Sequence, residues 1–153
     1  MIATLAAVTL ALTSPAFSND TLIPKRFTCD GAGVSPPLHW AAPPAATRSF
    51  ALSVKDPDAP GGTFVHWTAW NISPRARGLA RGQHPPVEGR NSAGRRGYTP
   101  PCPPSGSAHH YVFRLYALRS KLRLAAGASP VAFDRALRGR VIASVKLVGR
   151  YRR

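Results

Sequence analysis

Four stretches of the chain have the pattern of apolar and polar positions that is typical of β-strands. Large apolar residues alternate with small ones in residues 50–54, and residues 64–72 form an aromatic and β-branched run between Gly-Gly and Ser-Pro. In residues 109–118 and 141–151 apolar side chains recur at every second position. Because successive side chains of a strand point to opposite faces of a sheet, the pattern predicts four strands.

One helix is clearly signalled near the C-terminus. Ser129 is a suitable N-cap, Pro130 stands at the first helical position, and Gly139 marks the end of the helix. Residues 73–108 contain few apolar side chains and are predicted to form a surface excursion that carries function. Strands separated by Pro and Gly turns, with one or two short helices late in the chain, predict a mainly β protein built as an antiparallel, Greek-key-like β-sandwich.

The first residues of the chain allow two interpretations. Residues 2–12 form an apolar run that two threonines interrupt, too short for the ~20 residues of a membrane-spanning helix. The run resembles the apolar region of a secretory signal, with a small-x-small site at residues 16–18. No Lys or Arg precedes it, however, and it could instead lead into a first strand that ends at the Ser14-Pro15 turn.

Composition narrows the class of protein. The 16 Pro and 13 Gly among 153 residues disfavour long helices, which excludes a coiled coil or a helical bundle. The chain carries 21 Lys and Arg against 6 Asp and Glu, a formal net charge of +15, and the whole excess lies in residues 71–153. Such a basic half is one signal for nucleic acid or an anionic membrane. Nucleic acid is disfavoured, because no aromatic residues alternate with the arginines as stacking would require.

The two cysteines, Cys29 and Cys102, also allow two interpretations. No CxxC motif occurs, which disfavours a zinc site built on cysteine. The two side chains either form a disulfide or are buried as small hydrophobic residues. The second interpretation is favoured if the protein is cytoplasmic, where disulfides are rare.

Ionisable side chains gather at the predicted ends of strands. Asp56 and Asp58 stand in a rigid, proline-containing turn directly after a strand. His66 interrupts an apolar strand, and His109 and Tyr111 share one face of a later strand, which a proline-rich loop precedes. Each signal is weak alone, but together they bring carboxylates, imidazoles and a phenol to the ends of neighbouring strands.

At these residues the sequence resembles the phosphatidylethanolamine-binding protein family, specifically its bacterial and archaeal Raf-kinase-inhibitor-like branch. The matching stretches are TSPAF (13–17), IPKRFTCDG (23–31), SPPLHW (35–40), DPDAP (56–60), HWTAWNI (66–72), GYTPPCPPSG (97–106), HHYVFRLYAL (109–118), LAAGAS (124–129) and LVGRYRR (147–153). The resemblance implies one domain over residues 13–153, with residues 1–12 as an apolar leader or a truncated signal. It also implies a β-sandwich with a small, largely preformed pocket at one end, which binds anions such as phosphate or a phospholipid headgroup.

The resemblance further implies which side chains line that pocket. Its principal residues are Asp56, His66, His109, Tyr111 and Pro103, with Asp58, Tyr98, Cys102 and Trp67 as secondary candidates. Tyr111 offers a hydroxyl donor, and a protonated His109 or His66 would donate to phosphate oxygens with charge assistance. Asp56 would hold a histidine in its tautomer and favour the imidazolium, or accept from an amine headgroup.

Two positions depart from the family pattern. His110 stands where an arginine is usual, so this position has no permanent charge. Thr99-Pro100 replaces the glycines that commonly follow the Gly-Tyr pair, which lowers the number of loop N–H groups available to the pocket. Asp58 is expected to brace its turn rather than to contact a ligand.

The expected function is that of a non-catalytic binding protein for a small anionic ligand, without a cofactor, which modulates a partner protein such as a kinase or a protease. One alternative is a divalent-metal-dependent hydrolase that uses Asp56, Asp58, His66 and His109. Another is electrostatic attachment to nucleic acid or an anionic membrane through residues 71–153. A cytoplasmic location is favoured, with the periplasm or secretion as the alternative if residues 1–12 are a signal-peptide remnant.

Overall fold

The computed structural model describes residues 8–153, which form two β-sheets, one α-helix and a short 3-10 helix at Lys25–Phe27. The strands are β1 (Ala11–Thr13), β2 (Thr21–Leu22), β3 (Leu38–Ala41), β4 (Ser49–Asp56), β5 (Phe64–Ile72), β6 (Gly78–Leu79), β7 (Val87–Glu88), β8 (His109–Leu118) and β9 (Val141–Tyr151). The helix, α1, spans Pro130–Leu137. The mainly β fold predicted from the sequence is confirmed, and so are its four long strands and its helix.

The strands divide into a small sheet and a large one. The small sheet has the order β1-β3-β6, and the large one has the order β2-β9-β8-β4-β5-β7. Every pair between these strands is antiparallel except β2 with β9, which is parallel. The antiparallel arrangement predicted from the sequence therefore holds for every strand pair except this one at the edge of the sheet. There the two residues of β2, Thr21 and Leu22, pair with Gly149 and Arg150 of β9.

The core lies between the two sheets and consists of the alternating side chains that the sequence pattern identified. Phe50, Leu52 and Val54 of β4 lie beside Phe113 and Leu115 of β8, and all five are fully buried. Burial of a side chain of this size contributes about 1.5–3 kcal/mol each. The inner face of the large sheet is thereby fixed, and with it the direction in which the residues at the strand ends point.

Helix α1 covers part of the outer face of the large sheet. Phe133 and Leu137 of the helix pack on Ala51, Trp70 and Leu118 of the sheet. The helix begins as predicted, since the Ser129 hydroxyl accepts a hydrogen bond from the Ala132 backbone N–H at 3.1 Å. It ends just before Gly139, whose φ of +74° is the left-handed conformation that favours glycine.

Residues 73–108 run mostly as loops, as predicted, although they also contribute the two-residue strands β6 and β7. At the N-terminus, β1 ends at Thr13, immediately before the Ser14-Pro15 turn, and Leu12 is buried in the core. Residues 1–7 of the apolar leader lie outside the described part of the chain. Among residues 8–153, no helix is long and apolar enough to span a membrane.

Cys29 and Cys102 form a disulfide, with their Cα atoms 5.3 Å apart. The interpretation of two buried small hydrophobic residues, which the sequence favoured for a cytoplasmic protein, is therefore wrong. Both residues are exposed at the surface, where the bond ties the chain after the 3-10 helix to the loop before β8.

Candidate functional site

A cavity of about 290 Å³ opens at the ends of three inner strands of the large sheet, β4, β5 and β8. Because β4 is antiparallel to both β5 and β8, the last residue of β4 lies beside the first residues of its two neighbours. These three residues are Asp56, Phe64 and His109. The lining residues are Asp56, Ala59, Pro60, Phe64, His66, Thr99, Pro100, Cys102, Pro103, Pro104, His109 and Tyr111. The five principal residues of the sequence analysis are thus brought together.

Asp56 and His109 form a hydrogen-bonded pair inside this cavity. Asp56 Oδ2 lies 2.7 Å from His109 Nδ1, and the two side chains are only 5% and 12% exposed. The other carboxylate oxygen of Asp56 accepts a hydrogen bond from the Asp58 backbone N–H at 2.8 Å. Since the carboxylate accepts from Nδ1–H, the ring of His109 is oriented and Nε2 is left for other contacts.

His66 reaches the cavity because β5 contains a β-bulge at this residue. Val54 pairs with Trp67 and the next residue, Lys55, pairs with Val65, so His66 has no partner on β4. A bulge of this kind redirects side chains. Here two consecutive residues, His66 and Trp67, both lie on the inner side of the sheet.

A hydrogen bond fixes the tautomer of His66, and burial shifts its pKa. Its Nδ1 lies 2.7 Å from the Thr99 carbonyl oxygen, and because that oxygen can only accept, Nδ1 carries the proton. Burial lowers the pKa of His66 below the ordinary value of 6.5, although the Thr99 carbonyl opposes this shift. Neutral His66 therefore presents an acceptor, Nε2, rather than the charged donor expected from the sequence.

Tyr111 is fully buried, and its hydroxyl has no hydrogen-bond partner among the described residues. The ring lies edge-on to His66, with 5.2 Å between the ring centroids. Burial and the nearby Asp56 carboxylate raise the pKa of the Tyr111 hydroxyl well above its ordinary value, which keeps the proton on the oxygen. The cavity thus contains a neutral donor that the protein itself does not use.

The opposite wall of the cavity is stiff and largely apolar. It comes from the proline-rich loop before β8, where Pro100, Pro103 and Pro104 line the space. The disulfide holds this loop through Cys102, and the Cys29 backbone N–H donates to the Pro101 carbonyl at 3.0 Å. Because proline fixes φ and the loop is tied at these points, the wall is preformed.

Comparison with known proteins identifies the family. The family model described as phosphatidylethanolamine-binding protein matches residues 13–152. The chain belongs to this family. A UPF0098 protein of Methanothermobacter thermautotrophicus is 45% identical over 149 residues, which are 93% of this chain and 98% of that protein. The Mycobacterium tuberculosis protein LppC, whose name proposes a lipoprotein, is 43% identical over 150 residues, 95% of this chain and 74% of LppC.

A solved structure from the same family agrees with this assignment. CT736 of Chlamydia trachomatis, described as a proposed phosphatidylethanolamine-binding protein homologue, superimposes with a TM-score of 0.90. It is 40% identical in sequence, and the match covers 94% of this chain and 97% of CT736. The fold expected from the family resemblance is thereby confirmed.

Asp58, a secondary candidate, does not line the cavity. Its Oδ2 accepts from the backbone N–H of His110 at 2.8 Å and lies 2.7 Å from His110 Nδ1, on the exposed side of the strand end. These hydrogen bonds lower the pKa of Asp58 below its ordinary value. The residue that departs from the family pattern, His110, is thus used to brace the DPDAP turn.

Trp67 and Tyr98, also secondary candidates, lie outside this cavity as well. Trp67 is in the core, and the Tyr98 hydroxyl donates to the Phe27 carbonyl at 2.7 Å. The two rings pack edge to face beside a second cavity, with 5.5 Å between their centroids. The remaining secondary candidate, Cys102, does line the first cavity.

Six lining residues were not named as site residues in the sequence analysis, namely Ala59, Pro60, Phe64, Thr99, Pro100 and Pro104. Phe64 could have been found, because a residue at the start of β5 pairs with Asp56 at the end of β4. Thr99 contributes its backbone carbonyl, for which the residue type carries no signal.

The metal-dependent hydrolase alternative gains no support from the site. Within residues 8–153, no three His, Cys, Asp or Glu side chains are arranged so that they could hold a metal ion. Asp58 contacts His110, and Nδ1 of His66 is bonded to a backbone carbonyl. Asp56, His66 and His109 share the cavity, but Asp58 lies outside it, and the four residues do not form a set of metal ligands.

Proposed function

We propose that the protein binds a small phosphoryl-type anion, either phosphate or a phosphorylated headgroup, in the first cavity and does not act as a catalyst. The observation that carries this proposal is the buried Tyr111 hydroxyl without a protein partner. A buried polar group that makes no hydrogen bond costs about 1–3 kcal/mol, so its retention favours a use in ligand binding.

His109 supplies the charge for recognition. Its Nδ1 is held by Asp56 and its ring lines the cavity, so Nε2 is the ring atom that an imidazolium would use to donate to an anion. Charge-assisted hydrogen bonds to phosphate oxygens are about twice as strong as neutral ones.

His66 complements these donors with an acceptor. Because its pKa is lowered and Nδ1 donates to Thr99, Nε2 accepts from a protonated phosphate oxygen or from the ammonium of a headgroup. A cavity of about 290 Å³ with apolar walls at Phe64 and the prolines has room for a phosphate with a short carbon chain.

Thermal unfolding with added phosphate or phosphoethanolamine tests the proposal. Both ligands should raise the melting temperature of the wild type, and Tyr111→Phe and His109→Ala should reduce that rise. His110→Ala is the matched control, since His110 lies one residue away but contacts Asp58 outside the cavity. Equal shifts in the wild type and in both cavity variants would overturn the proposal.

An oxidising compartment is part of the same proposal. The exposed Cys29–Cys102 disulfide supports it, because such bonds persist outside the reducing cytoplasm. The name of the relative LppC points in the same direction. Alkylation of free thiols in intact cells should leave both cysteines unmodified, and modification of both would place the protein in the cytoplasm.

The expectations about macromolecular partners stay predictions. The prediction that the protein modulates a kinase or a protease is tested by identifying the proteins that co-purify with it. Attachment through the basic residues of the 71–153 segment predicts binding to DNA or anionic vesicles that weakens steeply with salt.

A further inference from the structure

A second cavity of about 210 Å³ lies on the other side of the loop that walls the first one. Thr99 of this loop faces the first cavity, and the preceding residue, Tyr98, faces the second. The lining residues of the second cavity are Gly33, Val34, Ser35, Trp67, Gly82, Gln83, His84, Glu88, Arg96 and Tyr98. None of them lines the first cavity, so the two spaces have no lining residue in common.

Glu88 places a nearly buried carboxylate in this second cavity. Its side chain is 12% exposed, and Oε1 accepts a hydrogen bond from the Trp67 indole N–H at 3.0 Å. Oε2 lies 3.3 Å from Nδ1 of His84, whose side chain is 84% exposed. Although the chain has 21 Lys and Arg, none in the part that the structure describes forms an ion pair with Glu88.

Arg96 lines the same cavity without pairing with Glu88. Two opposite charges therefore face one small space from separate positions. A simple anion in this space would meet the Glu88 carboxylate, and a simple cation would meet Arg96 and the field of a chain with net charge +15. A ligand that carries both signs satisfies both groups.

The aromatic lining indicates the chemistry of the cationic end. Trp67 meets the Glu88 carboxylate with the N–H edge of its ring, and the Tyr98 ring packs edge to face with Trp67 along the same cavity. Aromatic rings attract ammonium groups through their faces, and they also contact the methyl or methylene groups that surround the nitrogen. A carboxylate combined with two rings suits an alkylated ammonium better than a metal ion, which prefers several oxygen ligands.

We propose that the second cavity binds a small zwitterion, with an ammonium group at Glu88, Trp67 and Tyr98 and a carboxylate at Arg96. This site does not depend on the anion site of the first cavity.

Nuclear magnetic resonance of the three tryptophan indole N–H groups tests the proposal, with glycine betaine as the zwitterionic probe and choline as the purely cationic one. The Trp67 signal is assigned with Glu88→Gln, which keeps an oxygen acceptor but removes the charge. This substitution should shift the signal of the indole N–H that donates to Glu88. Arg96→Gln is the second variant, and His109→Ala is the matched control in the first cavity. The signals of Trp40 and Trp70 report that each variant is folded.

Betaine should shift the Trp67 signal saturably in the wild type. Loss of one charged contact should weaken this binding about tenfold in Glu88→Gln and in Arg96→Gln, whereas His109→Ala should bind as the wild type does. Choline should bind more weakly than betaine. The proposal is overturned if betaine causes no saturable shift, if both charge variants bind like the wild type, if choline binds as tightly as betaine, or if His109→Ala abolishes the shift.

Discussion

The buried hydroxyl of Tyr111 leads to a prediction in which stability and binding change in opposite directions. In Tyr111→Phe the only atom removed is an oxygen that has no partner among the described residues. Since its desolvation is not offset by a hydrogen bond, we expect the ligand-free variant to be about 1–2 kcal/mol more stable than the wild type. For a chain of this length, that gain corresponds to a melting temperature about 2–8 °C higher.

Tyr98→Phe is the matched control for this prediction. The Tyr98 hydroxyl donates to the Phe27 carbonyl at 2.7 Å, so the same substitution removes a hydrogen bond that is actually made. We expect this variant to be about 1–2 kcal/mol less stable than the wild type. The same chemical change should therefore have opposite signs at the two positions.

The free energies of unfolding are measured by urea denaturation, first in buffer free of phosphate and then with added phosphate. A ligand present at about 100 times its dissociation constant stabilises the folded protein by about 2.7 kcal/mol. If Tyr111→Phe binds about tenfold more weakly, the same concentration stabilises it by only about 1.4 kcal/mol. The advantage of the variant should therefore shrink or disappear when the ligand is present.

One result would refute this reasoning directly. If ligand-free Tyr111→Phe is less stable than the wild type while Tyr98→Phe behaves as expected, the Tyr111 hydroxyl has a stabilising partner. The main argument for a ligand in the first cavity would then be lost.

Three further predictions concern the disulfide, His66 and the helix cap. Replacement of Cys29 and Cys102 by serine should cost about 4 kcal/mol of unfolding free energy in urea, because the bond closes a loop with a sequence separation of 73; a loss below about 1 kcal/mol would contradict this. Because burial lowers the pKa of His66, the unfolded chain binds this proton at a higher pH than the folded one. Its contribution to stability should be complete above about pH 6.5 and decline below it, and His66→Gln should flatten the pH dependence of the unfolding free energy. Ser129→Ala should lower the melting temperature by an amount equivalent to about 1 kcal/mol, and no change would argue against the cap.

The sequence predicted the elements that are long enough for a periodic pattern of side chains to repeat several times. Strands β4, β5, β8 and β9 have 8 to 11 residues, enough for alternation to be visible, and α1 has both a cap and a stop. Strands β2, β6 and β7 have two residues each, too few to show an alternating pattern. The parallel pairing of β2 with β9 depends on where the chain returns in space, and a local pattern carries no information about that.

The site was predictable at the level of which segments meet, and less so at the level of individual side chains. Asp56, His109 and Tyr111 follow from strand ends and from the face shared within β8. Trp67 and Tyr98 were assigned to the wrong cavity, because the direction of each side chain depends on a bulge and on the turn of a loop. The cysteine pairing needed the distance between two loops, which spacing along the chain does not provide.

The bulge at His66 makes strand length, and not only residue identity, a determinant of the first cavity. The deletion of His66 alone would remove the register shift between Val54 and Lys55, while every other residue of β5 and the second shift, between Phe50 and Leu52, would be kept. The sheet and its core would be retained with a nearly unchanged composition, while the acceptor next to Tyr111 would be gone. When relatives are compared, an insertion or deletion of one residue in this strand is therefore a better indicator of a changed ligand than most substitutions around the cavity.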